Sequence, residues 1–146
     1  LFDVSDFQNP REVDKYVLSQ ETGWSSSEAE QDHKAVLFDK EKGILVIPVS
    51  YYKSDLVNEQ YEYENWMGAY VFDIDETKVD LKGKISHNEN NQNEPYYWNA
   101  YVRRSLFMDD VLYTISDAKI KANDLEDLMD ISFIDLSVRD YPVIAY

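Results

Sequence analysis

The chain has 146 residues, and 14 basic against 29 acidic side chains give it a formal charge of −15. That balance sets aside DNA, RNA and anionic membrane surfaces as direct partners, since polyanions attract basic patches and repel this surface. Zero cysteines exclude a disulfide framework, a thiolate zinc site and a cysteine nucleophile together.

The chain opens with Leu1-Phe2-Asp3-Val4, which reads as a strand already under way, and its last residues, Tyr141 to Tyr146, form an apolar run. These ends predict an excised piece of a longer protein. Another strand is expected over Glu12–Leu18. Ser25 to Ala35 suits one or two helical turns, with Ser25 to Ser27 as caps and Glu28 in the first turn. Strands follow at Lys34–Asp39 and Ile44–Ser50, joined by the turn Lys40-Glu41-Lys42-Gly43. The longest apolar stretch, Ile44 to Val49, is far short of the roughly 20 residues of a membrane span.

Tyr51 to Asn65, charged and tyrosine-rich, is read as a polar loop. Strands then come at Gly68–Asp73 and Val79–Ser86, and Asn88 to Pro95 is a second polar loop. Further strands are expected at Ala100–Met108, Val111–Ser116, Lys119–Ala122 and Ile131–Leu136, with a short turn over Asp124–Met129. Links this short between apolar strands mean antiparallel hairpins, and no strand is followed by a long helix. The fold class is all-β.

Repetition is the more informative signal. Leu37-Phe38 and Ile44-Leu45-Val46-Ile47 match Leu106-Phe107 and Val111-Leu112-Tyr113-Thr114, 69 residues on before the turn and 67 after it. Leu1-Phe2-Asp3-Val4 matches Val71-Phe72-Asp73-Ile74, and Ala122-Asn123-Asp124-Leu125 fits the same frame. Each is followed by another strand. The unit is a hairpin, a strand ending in aspartate, a turn and a fourth strand, which is the sequence form of a propeller blade. Residues 1–18 make a partial blade, 33–87 and 98–136 one blade each, and 137–146 a tail.

Several segments support a resemblance. They are Phe2-Asp3-Val4-Ser5-Asp6 with Asn9-Pro10 and Glu12-Val13, Asp32-His33-Lys34-Ala35, Tyr97 to Leu106, and Leu112-Tyr113-Thr114-Ile115-Ser116. Together they resemble archaeal and bacterial secreted proteins with a C-terminal β-propeller distantly related to WD repeats. The resemblance implies an extracellular or cell-surface location and brings no catalytic residues. A ring needs at least four blades, so about two blades and extra strands predict an open fragment. Its uncovered faces would favour self-association.

Candidate residues divide by chemistry. Asp3, Asp73 and Asp124 are expected to cap turns by accepting backbone N–H groups. Asp73, Asp75 and Asp80 raise calcium as the alternative cofactor, although the residue at the sixth position is Lys78 rather than glycine. His33 and His87, the two histidines, are expected to bond an aspartate or a carbonyl rather than a metal. Arg103 and Arg104 should face opposite ways on one strand, one of them inward with a carboxylate partner. Trp66, Tyr96, Tyr97 and Trp98, with Tyr51, Tyr52, Tyr61 and Tyr63, either cover sheet ends or recognise a protein or glycan. No Gly-x-Ser-x-Gly elbow occurs. The expected function is a non-catalytic surface scaffold or interaction module, with part of a carbohydrate-binding or hydrolytic propeller completed by other blades, or a calcium-stabilised surface module, as the alternatives.

Overall fold

The computed structural model describes residues 1–18, 23–57, 60–88 and 98–136. The described residues form three antiparallel sheets. A small hairpin pairs β1 (Phe2–Asp3) with β2 (Arg11–Glu12). The first large sheet holds β3 (Gly23–Ser26), β4 (Leu37–Asp39), β5 (Ile44–Val57), β6 (Gln60–Ile74) and β7 (Val79–Ser86), with β3 and β4 sharing one edge of β5. The second is a meander of β8 (Val102–Met108), β9 (Val111–Ser116), β10 (Lys119–Asp124) and β11 (Asp130–Asp135).

The repeat read from the sequence is reproduced in the strand register. Leu37 pairs with Val46 as Leu106 pairs with Tyr113, and Ile44 pairs with Asp73 as Val111 pairs with Asp124. The ladder from β6 to β7 slips between Val71 and Phe72, and that from β10 to β11 slips between Ala122 and Asn123, at the equivalent place. A bulge adds one residue to one strand and sharpens its twist, so both sheets bend at the same step. The N-terminal hairpin fits the same frame, since Phe2 pairs with Glu12 and Asp3 with Arg11 as Phe72 pairs with Leu81 and Asp73 with Asp80. These are propeller-like blades that do not close into a ring.

Period-two alternation sends Ile44, Val46, Ala69, Val71 and Ile85 to one face of the first sheet. There they pack against Val102, Leu112 and Leu125 of the second, with Leu37 and Leu128 at the margin. Val49, Tyr70 and Phe72 form the opposite face, which Leu18 helps to cover. Tyr16 sets its ring edge-on to Phe72 at 5.0 Å and to Tyr70 at 6.4 Å. Val13 to Leu18 therefore lies over this face, and the strand expected there shrinks to Arg11–Glu12. The opening strand likewise shrinks to Phe2–Asp3.

The largest correction concerns Tyr51 to Asn65. It is not a loop, because β5 and β6 stay paired from Ile44↔Asp73 to Val57↔Gln60 and form one long hairpin arm. Alternation within the arm explains why it is not coil. Tyr52, Ser54 and Leu56 lie opposite Asn65, Tyr63 and Tyr61 on one face, while Lys53 and Asp55 lie opposite Glu64 and Glu62 on the other. Smaller corrections follow from caps. Ser27 and Asp32 cap single 3-10 turns at Glu28–Glu30 and His33–Ala35, so Ser25 belongs to β3 and β4 starts only at Leu37. Another 3-10 turn, Trp98–Ala100, delays β8 to Val102. The tail 137–146, and the second polar loop beyond Asn88, lie outside the described residues.

Candidate functional site

Two capped turns build the polar end of the seam between the large sheets. Ser27 Oγ accepts the Ala29 N–H at 3.1 Å and donates to the Pro48 carbonyl, which ties the first turn to β5. Asp32 Oδ1 accepts the Lys34 N–H at 2.9 Å and Oδ2 accepts Arg104 Nη2 at 2.6 Å. Its carboxyl lies below the ordinary aspartate range, first through the Lys34 N–H and then through Arg104. Arg103 Nη1 donates to Glu28 at 3.1 Å and Nη2 to Asp117 at 3.4 Å.

The arginines do not face opposite ways, as strict alternation requires. The register between β8 and β9 slips between Val102 and Arg104, leaving Arg103 as the bulged residue. Both guanidinium groups are half-buried and both reach the Glu28–Asp32 segment, while Arg104 Nη1 also donates to the Arg103 carbonyl at 2.6 Å. Beside this array lies a cleft of about 320 Å³ whose walls include Trp24, Glu28, Glu30, Tyr101 and Arg103.

Aromatic rings continue from that cleft along the arm. Trp24 pairs with Tyr52 across β3 and β5, Tyr52 stacks on Tyr63 at 5.9 Å, and Tyr63 stacks on Tyr61 at 6.3 Å with planes 19° apart. Trp24, Tyr63 and Tyr61 are 57%, 59% and 64% exposed. Rings held on paired strands lose little entropy when a partner covers them. The other aromatic group is already occupied. Tyr51 and Trp66 stack at 5.8 Å, Trp66 meets Tyr70 edge-on, and the Lys84 ammonium sits 4.7 Å from the Tyr70 centroid and within 6 Å of the other two. Burial, followed by a hydrogen bond to Glu64, raises the Tyr51 phenol well above its ordinary value. Trp66 is thus a packing residue, and Tyr96, Tyr97 and the side chain of Trp98 lie outside the described residues.

His87 sits buried between the sheets, with Nδ1 2.9 Å from Ser116 Oγ and Nε2 2.8 Å from Thr114 Oγ1. Its partners are hydroxyls rather than the expected aspartate or carbonyl. Both come from β9, whose alternation aims Leu112, Thr114 and Ser116 at the first sheet. Burial, with the charges of Lys119 and Lys121 behind it, lowers the imidazole pKa to about 3. His33 is exposed at the start of the second 3-10 turn, beside Asp32. The two rings therefore have separate surroundings.

Aspartates divide likewise. Asp3 accepts the Ser5 N–H and Asp124 the Glu126 N–H, as turn caps do. Asp73 instead takes the Lys82 ammonium at 3.3 Å, and Asp75 two residues on caps the turn by accepting the Thr77 N–H and hydroxyl and the Lys78 N–H. Asp80 pairs with Lys78 at 2.7 Å. The three carboxylates considered for calcium are each engaged by protein donors. Among the described residues no group of three or more histidine, aspartate or glutamate side chains is placed to hold a metal ion, and no helix is long and apolar enough to cross a membrane. Sequence reading missed Trp24, Glu28 as the partner of Arg103, and Lys84. For Trp24 a usable signal existed, an aromatic residue just ahead of the serine caps.

Comparisons with known proteins agree with this architecture. An uncharacterized protein of Methanocaldococcus jannaschii is 32% identical over 116 residues, covering 80% of this chain and 14% of that protein. The chain thus spans about a seventh of this relative. No solved structure matches it. The family model described as "Beta propeller domain" matches residues 1–128, and the chain belongs to the beta propeller domain family.

Proposed function

We propose that this chain is a section of a non-catalytic propeller scaffold displayed outside the cell, with the aromatic strip from Trp24 to Tyr61 as its recognition surface. The observation that carries this reading is the set of exposed rings stacked along a paired hairpin. Such rings supply contact area already fixed in position, which lowers the ordering cost of binding. We read the occupant as a saccharide, whose apolar ring faces suit exposed Tyr and Trp side chains. The location rests on the resemblance to secreted proteins.

A glycan array probed with the intact chain and with a Trp24→Ala, Tyr61→Ala, Tyr63→Ala variant tests the surface. Binding by the parent that the variant loses at unchanged Tm supports it. Equal binding by both, or none by either, rejects this strip as a saccharide surface. Fractionation of cells producing the full-length protein tests the location, and recovery in the cytosol alone rejects an extracellular role.

A further inference from the structure

The sheet face that carries the aromatic strip has one open end and one covered end. Alternation places Leu56, Tyr52 and Ser50 of β5 on this face, opposite Tyr61, Asn65 and Met67 of β6. Near the hairpin tip the side chains stand in solvent, with Leu56 63% and Tyr61 64% exposed, whereas Ser50 and Met67 are buried. The cause is the second sheet. Ala69, two residues beyond Met67, already belongs to the core shared with Val102 and Leu112. A long molecule lying along the rings from Tyr61 toward the base of the arm therefore meets a wall instead of a continuing groove.

Two elements fasten that wall. Ser27 Oγ ties the first 3-10 turn to the Pro48 carbonyl, and Arg103, at the start of β8, donates to Glu28 of that turn at 3.1 Å. Between wall and strip lies the cleft of about 320 Å³, with Trp24 on the strip side, Ser26 and Ser50 on the sheet beneath, and Tyr101 and Arg103 on the far side. Its volume stands at the lower end for small-ligand sites, which suits a single sugar ring. The bonds from Arg103 to Glu28 Oε2 and Asp117 leave over guanidinium N–H groups and Glu28 Oε1. A charged donor and a charged acceptor held side by side match the neighbouring hydroxyls of one ring.

We infer that the cleft is a terminal subsite, so that the strip takes a saccharide by its end. The last sugar unit sits against Trp24 and is hydrogen-bonded by Arg103 and Glu28, and the units that follow lie over Tyr52, Tyr63 and Tyr61. The inference rests on the saccharide reading of the strip and adds which part of the saccharide is read. A seat open at both ends accepts any internal stretch of a long chain, whereas a seat with a wall accepts chain ends alone. The ligand class is then short linear oligosaccharides and the exposed ends of longer glycans, rather than the interior of a polysaccharide.

Titration calorimetry of the whole chain tests it, with linear malto-, cello-, xylo- and chito-oligosaccharides and with a long linear polysaccharide of the type that binds. Affinity per mole of oligosaccharide should rise up to about four units, one for each ring of the strip, and stay level beyond. The polysaccharide should take up one copy of the protein per chain whatever its length, and cutting it into fragments should add sites in proportion to the ends created. Glu28→Gln should weaken tetrasaccharide binding about tenfold with little change in Tm, since a part-exposed ion pair adds little stability. Copies bound in proportion to polysaccharide length, or unchanged tetrasaccharide affinity in Glu28→Gln, overturn the terminal subsite. In that event the strip itself still stands if the Trp24→Ala, Tyr61→Ala, Tyr63→Ala variant fails to bind. Binding of no saccharide by the parent chain overturns both.

Discussion

His87 Nε2 and Thr114 Oγ1 lie 2.8 Å apart across the seam between the two large sheets. With the Ser116 hydroxyl on Nδ1, both ring nitrogens are satisfied by a neutral imidazole in a buried site. This join also shows how the sheets are held in register, since an apolar seam alone would tolerate sliding. Lys121, buried on β10, adds a second cross-sheet link by donating to the Ser86 carbonyl at 3.4 Å while pairing with Asp130 at 3.2 Å.

The depressed His87 pKa fixes a pH dependence. The folded value is about 3 against 6.5 for the free group, so below pH 6.5 the unfolded chain binds a proton that the folded chain refuses. Stability is full above pH 6.5 and falls as the pH drops toward the folded value, by up to about 1.4 kcal/mol per pH unit. His87→Gln should be less stable at pH 7.5 yet show a shallower slope between pH 6.5 and 5, where few carboxylates titrate. Urea unfolding across that range checks it, and identical slopes would remove the histidine from the account.

Arg104 and Asp32 form the shortest ion pair at the seam, 2.6 Å between heavy atoms. Exposure on both sides weakens such a pair, but Asp32 also caps the 3-10 turn. Arg104→Ala should lower Tm by about 3 °C, and Asp32→Asn, which keeps a cap oxygen, by less than Asp32→Ala. Ordering of these three variants by thermal melting is the check.

Gly68 is required by close approach. A β-carbon there would stand 2.0 Å from the Ile85 carbonyl oxygen, where β6 meets β7. Backbone rather than a side-chain tip is in the way, so the strand must move. Gly68→Ala should cost roughly 3 kcal/mol or more in unfolding free energy, against well under 1 kcal/mol for the substitution of an unconstrained surface glycine. Chemical denaturation of the variant measures it.

The repeat was legible because hairpin register is written locally. Leu37-Phe38 and Leu106-Phe107 sit at equal steps from their turns, and the bulges at Val71 and Ala122 recur with them. What was not legible depended on partners distant in sequence or on unmarked irregularities. The bulge at Arg103 carries no glycine or proline, so the reading of opposed arginines followed strict alternation and failed. Tyr51 to Asn65 looked like a loop because charge was counted without face. Lys53, Asp55, Glu62 and Glu64 occupy one side and Tyr52, Leu56, Tyr61 and Tyr63 the other, a period-two pattern plain once both strands are read together. Nothing near His87 in sequence announces hydroxyls arriving from β9, 27 and 29 residues away.

Repetition of one four-stranded unit, stacked face to face, is the claim from which the rest descends. Cross-strand Hα–Hα nuclear Overhauser contacts in the isotope-labelled chain measure it directly. The account predicts two separate ladders with equivalent steps, β4-β5-β6-β7 and β8-β9-β10-β11, and side-chain contacts from His87 to Thr114 across the gap between them. Main-chain contacts joining β7 to β8 or to β11, as in one continuous sheet or a closed barrel, would contradict it.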